Sequence, residues 1–165
     1  MAVCVYPGTF DPITCGHLDI IQRAAPLFEK MIILVGKNSA KSPFFTVEER
    51  VDFAQRVTAH LPNTEVDTFD GLLVHYVQRI QAHVIVRGLR ALSDYDYEYQ
   101  MASTNHTLCP NIETIFLMTA LQYAFLSSSI VREIGRNGES LSGMVPEPIL
   151  YDVTTRLAQN KSQNR

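Results

Sequence analysis

The first turn of the chain carries the residues whose types and spacing best suit phosphate binding. Gly8 and Thr9 follow an apolar run, and Gly16 and His17 open a pattern typical of a helix. Glycines let the backbone approach a ligand closely, and the unpaired N–H groups and positive dipole end of a helix N-terminus favour an anion. Thr9 and His17 would add side-chain donors, so this turn predicts a phosphate site. Neither a Walker-type nor a dinucleotide-type glycine motif occurs in it.

Basic and hydroxyl side chains also follow the later predicted strands. Lys41 comes after the second strand, Arg87 and Arg90 after the fourth, and the serines at 127–129 after the fifth. The carboxyl ends of parallel strands share one edge of a sheet, so we expect these groups to collect beside the first turn. Core packing does not require such a collection, whereas a ligand with several phosphates does.

Each of these groups also has an ordinary structural interpretation. Lys41 in a polar loop is commonly a solvated charge, and residues 87–90 could form a simple turn, although an Arg that ends a buried strand needs an anion or water. The serines at 127–129 indicate a helix N-cap, which is compatible with phosphate binding. Three alternating tyrosines are more typical of a core or a subunit contact than of a platform for a base: Tyr95, Tyr97 and Tyr99.

Short apolar runs alternate with helical patterns along the whole chain. Five strands are predicted, at residues 3–6, 31–35, 64–69, 83–87 and 113–118. Among the helices between them, Thr46 and Glu49 form a capping box, Ser93 is expected to cap the helix toward Leu108, and Pro26 should end the first helix early. Apolar strands separated by helices predict an α/β fold: a Rossmann-like, doubly wound, five-stranded parallel sheet with helices on both faces.

Length and composition indicate a single domain over residues 1–165, of which 46% are hydrophobic and 19% charged. Its end is predicted as a helix at about 147–159, with Pro148 as first residue, and a polar tail at 160–165. The net charge of -3 gives no general attraction to nucleic acid or to an acidic membrane. Three cysteines without metal-type spacing, and no long apolar run, predict a cytoplasmic protein that is neither exported nor membrane-spanning.

The motif Thr14-Cys15-Gly16-His17, placed after Gly8 to Pro12, resembles the nucleotidylyltransferase superfamily, and its T-x-G-H form is similar to that of the bacterial phosphopantetheine adenylyltransferases. Three positions depart from the family: Cys15 stands where Asn is frequent, Tyr123 where many members have Trp, and His106 where an Arg-containing segment is common. These departures leave the central groups intact. Further blocks match the family in order and spacing, so that the resemblance covers about residues 3 to 136: 46–50, 87–90, 94–98, Asn105 and 125–129.

The resemblance implies a single nucleotidylyltransferase domain with a defined reaction. An adenylyl group would pass reversibly from ATP to 4'-phosphopantetheine, giving 3'-dephospho-coenzyme A and pyrophosphate, in the penultimate step of coenzyme A biosynthesis. The attacking group would already be a phosphate anion, so that no general base is required. Catalysis would then consist of aligning two mutually repelling anions in line and stabilising charge at the α-phosphorus.

The resemblance also implies the roles of individual residues. The catalytic residues would be His17, Thr9, Lys41 and Arg90. The phosphopantetheine side would be formed by Thr9, Lys41, Arg87 and, beside the pantetheine arm, Leu73. The ATP side would be formed by Thr9, Phe10, His17, Gly88, Leu89, Arg90, Glu98, Tyr123, Ala124, Phe125, Leu126, Ser127, Ser128 and Ser129.

A metal ion, a regulator and an assembly are implied as well. Magnesium would be carried with ATP and held by phosphate and water, since no carboxylate cluster in the sequence identifies a protein site for it. Coenzyme A would act as a feedback inhibitor, because it shares the pantetheine arm with the product. The family forms a homohexamer, and the region from Tyr95 to Met118 could supply subunit contacts.

Two alternative functions stay open on the sequence. A sister adenylyltransferase acting on another phosphorylated substrate, such as nicotinate mononucleotide, would share the chemistry but would be expected to have His where this chain has Thr14. A non-catalytic nucleotide-binding module could keep the glycines, but would not need His17, Lys41 and Arg90 together.

Overall fold

Five parallel strands form one sheet in the computed structural model, which describes residues 2–37, 42–90 and 92–163. The strands are β1 (Val3–Gly8), β2 (Lys30–Gly36), β3 (Thr64–Phe69), β4 (Val84–Leu89) and β5 (Glu113–Met118). Their order across the sheet is β3-β2-β1-β4-β5. This is the Rossmann-like, doubly wound sheet that the sequence predicts. Lys41 lies outside the described residues.

Helices cover both faces of the sheet. The described part of the chain contains α1 (Cys15–Ala24), α2 (Val47–Thr58), α3 (Leu73–Arg79), α4 (Leu92–Leu108), α5 (Ser128–Arg136) and α6 (Glu147–Gln163). Alternate strand residues point to opposite faces, so each strand contributes to two cores. Tyr6 and Ile33 pack with residues of α1, α2 and α6, whereas Val5 and Ile85 pack with residues of α3. None of the helices described is both long and apolar enough to cross a membrane.

The strand order places a topological switch point between β1 and β4. The chain runs outward from β1 to β3 and then crosses back, so that β4 pairs on the other side of β1 through Cys4 with Val84 and Val5 with Ile85. Ligands of doubly wound folds bind outside the carboxyl ends of the two strands that flank such a point. Here those ends are Gly8 and Leu89.

Two predicted helix boundaries are confirmed. Thr46 is the N-cap of α2: its hydroxyl accepts from the backbone N–H of Glu49 at 3.2 Å, and the Glu49 carboxylate accepts from the Thr46 N–H at 2.8 Å. Helix α1 ends at Ala24, and Pro26 lies in the short 3-10 turn Ala25–Leu27 that follows. Pro26 lacks the N–H that a continuing helix would need.

Other predicted boundaries require correction. Strand β4 extends two residues beyond its predicted end at Arg87, because Gly88 and Leu89 also pair with residues of β5. Helix α4 begins at Leu92, so Ser93 lies inside its first turn and is not its N-cap. Helix α6 continues to Gln163, through residues predicted as a polar tail, since neither Gly nor Pro interrupts that stretch.

Candidate active site

A cleft of about 450 Å³ opens at the carboxyl ends of β1 and β4. Its walls come from the ends of these strands, the N-termini of α1 and α5, and one face of α4. The lining residues are Tyr6, Pro7, Gly8, Thr9, Phe10, Thr14, Gly16, His17, Ile20, Arg87, Gly88, Arg90, Asp94, Tyr97, Glu98, Thr119, Leu126, Ser127, Ser128 and Ser129.

The turn after β1 is packed tightly against its own aromatic residue. Phe10 has a φ of 49°, and a Cβ built at Gly8 would lie only 2.7 Å from Cζ of the Phe10 ring. Only glycine therefore fits at position 8 unless the ring moves. The Phe10 ring also meets the His17 ring edge to face, at 5.1 Å between centroids. Gly8 and Phe10 thus determine where His17 sits beside the cleft.

The first and last residues of the T-x-G-H motif form the N-terminal cap of α1. The Thr14 hydroxyl accepts from the backbone N–H of His17 at 3.3 Å, and Nδ1 of His17 accepts from the backbone N–H of Thr14 at 3.0 Å. This is a capping box with an imidazole in place of the usual carboxylate. The spacing of Thr and His therefore has a structural origin in helix capping, in addition to its resemblance to a known motif.

Burial and neighbouring charges determine the protonation state of His17, and the cap determines which ring nitrogen carries the proton. Burial, assisted by the charges of Arg90 and Arg87, lowers the pKa of His17 to about 4. The ring is therefore neutral at pH 7, and because Nδ1 accepts a hydrogen bond, its proton is on Nε2. His17 can act there as a neutral hydrogen-bond donor to a ligand in the cleft.

Arg87, near the end of β4, is held by a carboxylate of α4. Its Nε donates to Glu98 at 2.7 Å and its Nη2 to the other Glu98 oxygen at 2.5 Å, while Nη1 donates to the Pro7 carbonyl at 2.7 Å. An Arg that ends a buried strand needs an anion or water as its partner. In the structure Glu98 supplies that anion.

Arg90, just beyond β4, is held in the same way. Its Nε and Nη2 donate to the two oxygens of Asp94 at 3.0 and 3.4 Å, and its Nη1 donates to the Leu126 carbonyl at 3.2 Å. The pair is longer and more exposed than that of Arg87: 40% of the Arg90 side chain is accessible, against 28% for Arg87. Both guanidinium groups line the cleft.

The serine run forms the N-terminus of α5, as predicted. Ser127 is the N-cap and accepts from the backbone N–H of Ile130 at 3.2 Å, and the Ser128 hydroxyl donates to the Pro12 carbonyl at 2.8 Å. The second bond ties α5 to the turn after β1. The first turn of α5 therefore presents backbone N–H groups and its positive dipole end to the same cleft as His17.

Asp11 joins the turn after β1 to two other segments. Its carboxylate accepts from the backbone N–H groups of Phe44 and Phe45 at 2.9 and 2.8 Å. It also pairs with Arg132 of α5 at 3.1 Å. One buried carboxylate thus connects the turn after β1, the segment that precedes α2, and helix α5.

Arg50 of α2 makes a second connection beneath the site. Its side chain is 1% exposed and donates to the carbonyls of Thr9 at 2.7 Å, Gly36 at 2.9 Å and Phe45 at 3.2 Å. Gly36 ends β2 and Phe45 precedes α2, so Arg50 fixes both sides of the loop between them to the turn that carries Thr9.

The cleft brings together most of the residues that the resemblance implicates. Those lining it are Thr9, Phe10, His17, Arg87, Gly88, Arg90, Glu98, Leu126, Ser127, Ser128 and Ser129. The others described lie apart from its wall. Leu89 is buried, Phe125 is 86% exposed, and Leu73 packs against the core of the opposite face with α3. Tyr123 and Ala124 follow β5; Tyr123 packs beside Gly16, where an added Cβ would lie 3.4 Å from the Cβ of Tyr123.

Several residues that line the cleft are not among the predicted site residues. Tyr6, Thr119 and Asp94 reach the cleft from β1, the end of β5 and α4. Asp94 could have been found, since it lies one helical turn before Glu98 and would share a helix face with it. Tyr6 reads as a core residue in an apolar strand, and nothing in the sequence marks its hydroxyl for the site.

A known protein family and several known proteins are similar to this chain over most of its length. The cytidylyltransferase-like family model matches residues 5–134. A phosphopantetheine adenylyltransferase of Acaryochloris marina is 54% identical over 92% of this chain and 86% of its own length. Those of Carboxydothermus hydrogenoformans and a Cyanothece species are 53% and 52% identical, over 89% and 95% of this chain and 91% and 93% of their own lengths.

A solved structure shows the same fold at much lower identity. A crystal structure from Vibrio parahaemolyticus, described as a nicotinate-nucleotide adenylyltransferase, superposes with a TM-score of 0.65 at 16% identity, over 93% of this chain and 94% of its own. That likeness concerns the fold alone. The relatives above, by contrast, are more than half identical over nearly complete chains. This chain therefore belongs to the phosphopantetheine adenylyltransferases, nucleotidyltransferase enzymes of the cytidylyltransferase-like family.

Proposed function

We propose that this protein transfers the adenylyl group of ATP to 4'-phosphopantetheine, releasing pyrophosphate and forming 3'-dephospho-coenzyme A. The observation that carries the proposal is the convergence, in one cleft, of the His17 cap, two arginines and the N-terminus of α5. Such a set of donors suits two phosphorylated substrates. The nicotinate mononucleotide alternative is not favoured, because relatives at 52% identity and above bear the other name.

The reacting atoms need no proton transfer from the enzyme. An oxygen of the phosphopantetheine phosphate attacks the α-phosphorus of ATP. The bond from that phosphorus to the oxygen that bridges the α- and β-phosphates breaks. The departing electrons leave with pyrophosphate. A neutral His17 with its proton on Nε2 would donate to an α-phosphate oxygen as charge develops there. It would lower the barrier as a hydrogen-bond donor, not as an acid.

Different groups of the protein would bind the phosphates of the two substrates. Arg90 and the first turn of α5 would bind the β- and γ-phosphates, with Ser127 to Ser129 at that turn. Arg87 and Lys41 would hold the phosphopantetheine phosphate, and Thr9, at the end of β1, would contact both substrates. Holding the two anions close together and in line would supply much of the rate enhancement.

Membership of a nucleotidyltransferase family indicates a nucleotide substrate accompanied by a divalent metal ion. We propose Mg²⁺ that enters with ATP. The described residues contain no group of three or more His, Cys, Asp or Glu side chains that could hold a metal, so they provide no protein cage for the ion. When bound, the ion would neutralise phosphate charge through phosphate oxygens and water.

The assembly we propose is a homohexamer. Large apolar and aromatic side chains are exposed on α4, at the end of β5 and just after it, among them Tyr99 at 56%, Met118 at 61% and Leu121 at 93%. Tyr95 and Tyr99 of α4 therefore do not belong to the core of the chain, which leaves subunit contact as their more typical use, whereas Tyr97 lines the cleft. Light scattering should give about six times the 18.6 kDa mass of the chain. A monomer at assay concentration would contradict this.

We further propose a cytoplasmic location and feedback inhibition by coenzyme A. Cys4, Cys15 and Cys109 are all free thiols, as is usual in a reducing compartment. Coenzyme A shares the pantetheine arm with the product, so it should compete with phosphopantetheine at a pocket bordered by Leu73 and Lys41. Inhibition that is unaffected by the phosphopantetheine concentration would indicate a separate site.

Pyrophosphate release from ATP tests the proposed reaction. It should depend on phosphopantetheine and should not be supported by nicotinate mononucleotide. Release with nicotinate mononucleotide alone would indicate the sister enzyme. Binding of ATP without release under any condition would indicate a nucleotide-binding module.

A further inference from the structure

Two carboxylates line a cleft that otherwise offers donors to anions. Asp94 and Glu98 lie four residues apart on one face of α4, and both border the cleft with Arg87 and Arg90. A carboxylate repels a phosphate, so acids in this position would weaken the binding of both proposed substrates unless they serve another purpose. Their hydrogen bonds indicate what that purpose is.

The two arginines are bound by the same pattern of contacts. In each, Nε and Nη2 donate to the two oxygens of one carboxylate, and Nη1 donates to one backbone carbonyl. The carboxylate is Glu98 for Arg87 and Asp94 for Arg90, and the carbonyl belongs to Pro7 or to Leu126. Such a two-pronged contact fixes the plane of the guanidinium as well as its position.

These contacts leave donors for a ligand. Each terminal nitrogen of a guanidinium carries a second N–H, and the contacts described use only one on each. Because the group is planar and both arginines line the cleft, their remaining donors have fixed directions. A phosphate could bind to them without breaking either ion pair.

We propose that Glu98 and Asp94 are positioning residues, each orienting one arginine toward one of the two substrate phosphate groups. Glu98 would serve the phosphopantetheine phosphate through Arg87, and Asp94 would serve the triphosphate of ATP through Arg90. The inference rests on the proposed function. For Glu98 this role is additional to the contact with ATP that the resemblance implies.

The two pairs differ in strength, so the effects of their loss should differ too. The Arg87 pair is short, at 2.5 to 2.7 Å, and Glu98 has only 11% of its side chain exposed. The Arg90 pair is longer, at 3.0 to 3.4 Å, and 28% of the Asp94 side chain is exposed. Buried, bidentate pairs contribute more than exposed ones, so Glu98 should matter more.

Substitution of each acid by its amide tests the proposal. Glu98→Gln should raise the KM and the calorimetric Kd for phosphopantetheine about tenfold. Asp94→Asn should raise those for ATP about threefold and change those for phosphopantetheine less than about twofold. A matched control is Asp52→Asn, which breaks an i,i+4 pair with Arg56 on α2, away from the cleft, and should leave both constants unchanged.

A double-mutant cycle separates positioning from direct contact. If Glu98 acts only through Arg87, Glu98→Gln should add little to the phosphopantetheine KM of an Arg87→Met enzyme. Full additivity, or a Glu98→Gln enzyme whose affinity for phosphopantetheine is unchanged, would overturn the proposal. Failure of the proposed function is distinguishable, because the unsubstituted enzyme would then release no pyrophosphate with phosphopantetheine. Circular dichroism melts identify any variant that fails to fold; for such a variant at position 98, Glu98→Asp takes its place and should also weaken phosphopantetheine binding.

Discussion

The backbone N–H of Thr14 donates to Nδ1 of His17 at 3.0 Å, and this bond determines where the His17 proton can be. With Nδ1 occupied as an acceptor, the neutral ring must carry its proton on Nε2. The helix cap thus orients the imidazole and selects its tautomer in a single contact. A threonine and a histidine at this spacing are explained by that double role.

The pH dependence of His17 follows from its lowered pKa. We expect long-range proton–nitrogen NMR correlations of the free enzyme at pH 7 to show a neutral ring protonated on Nε2, and protonation only near pH 4. An unfolded chain binds this proton near pH 6.5, so the contribution of His17 to stability is present above about pH 6.5 and is lost as the pH falls toward 4. His17→Gln should reduce this loss in denaturant unfolding at pH 7 and 5. A charged ring at pH 7 would contradict the assignment.

Replacing His17 should affect turnover more than binding. If Nε2 donates to the α-phosphate chiefly in the transition state, His17→Ala should lower kcat by on the order of 100- to 1000-fold while the Kd for each substrate changes little. The variant should lose about 1 kcal/mol of stability with half of the capping box, which unfolding experiments would measure. Near-normal turnover would remove the catalytic role.

Lys41 is expected to act on the other substrate. Lys41→Ala should weaken phosphopantetheine binding and slow turnover, with ATP affinity nearly unchanged, because its charge would neutralise and place the incoming phosphate. Titration calorimetry with each substrate separately measures this. Loss of ATP affinity alone would reverse the substrate assignment.

Arg50 is expected to be essential for stability although it does not line the cleft. Arg50→Met leaves the carbonyls of Thr9, Gly36 and Phe45 without this buried donor, and should cost about 3 kcal/mol or more in the free energy of unfolding. Arg56→Met, on the same helix, removes a largely exposed pair with Asp52 and Asp152 and should cost roughly 1 kcal/mol or less. Equal losses in urea unfolding would show that the buried contacts of Arg50 have no special importance.

The sequence predicts the sheet, and the edge of the sheet at which the cleft lies, because local patterns determine both. The apolar run of β2, the capping box of Thr46 and Glu49, and the serine cap of α5 are each decided by neighbouring residues. Strand β4 is longer than predicted because its last residues pair with β5, a partner distant in sequence. Gly88 and Leu89 therefore belong to the sheet, although the sequence predicts that the strand ends at Arg87.

Contacts between distant segments are what the sequence could not provide. The resemblance assigns Arg87 to phosphopantetheine and Glu98 to ATP. Only the folded chain brings Nη2 of Arg87 within 2.5 Å of a carboxylate oxygen of Glu98. Arg50 likewise reads as one more charge on a helix, since the three carbonyls that surround it come from three separate segments. Patterns of residue types identify elements, whereas pairings across the fold need the coordinates.

Direct transfer between the two substrates is the claim on which these assignments depend. Cys15 is the nearest thiol to the turn, but burial, and then the charge of Glu147, raise the pKa of Cys15 and disfavour a thiolate nucleophile. The most direct test uses ATP made chiral at the α-phosphorus with sulfur and follows the configuration of the dephospho-coenzyme A product. A single in-line attack by the phosphopantetheine phosphate predicts inversion. Retention would reveal a covalent adenylyl-enzyme and would contradict direct transfer.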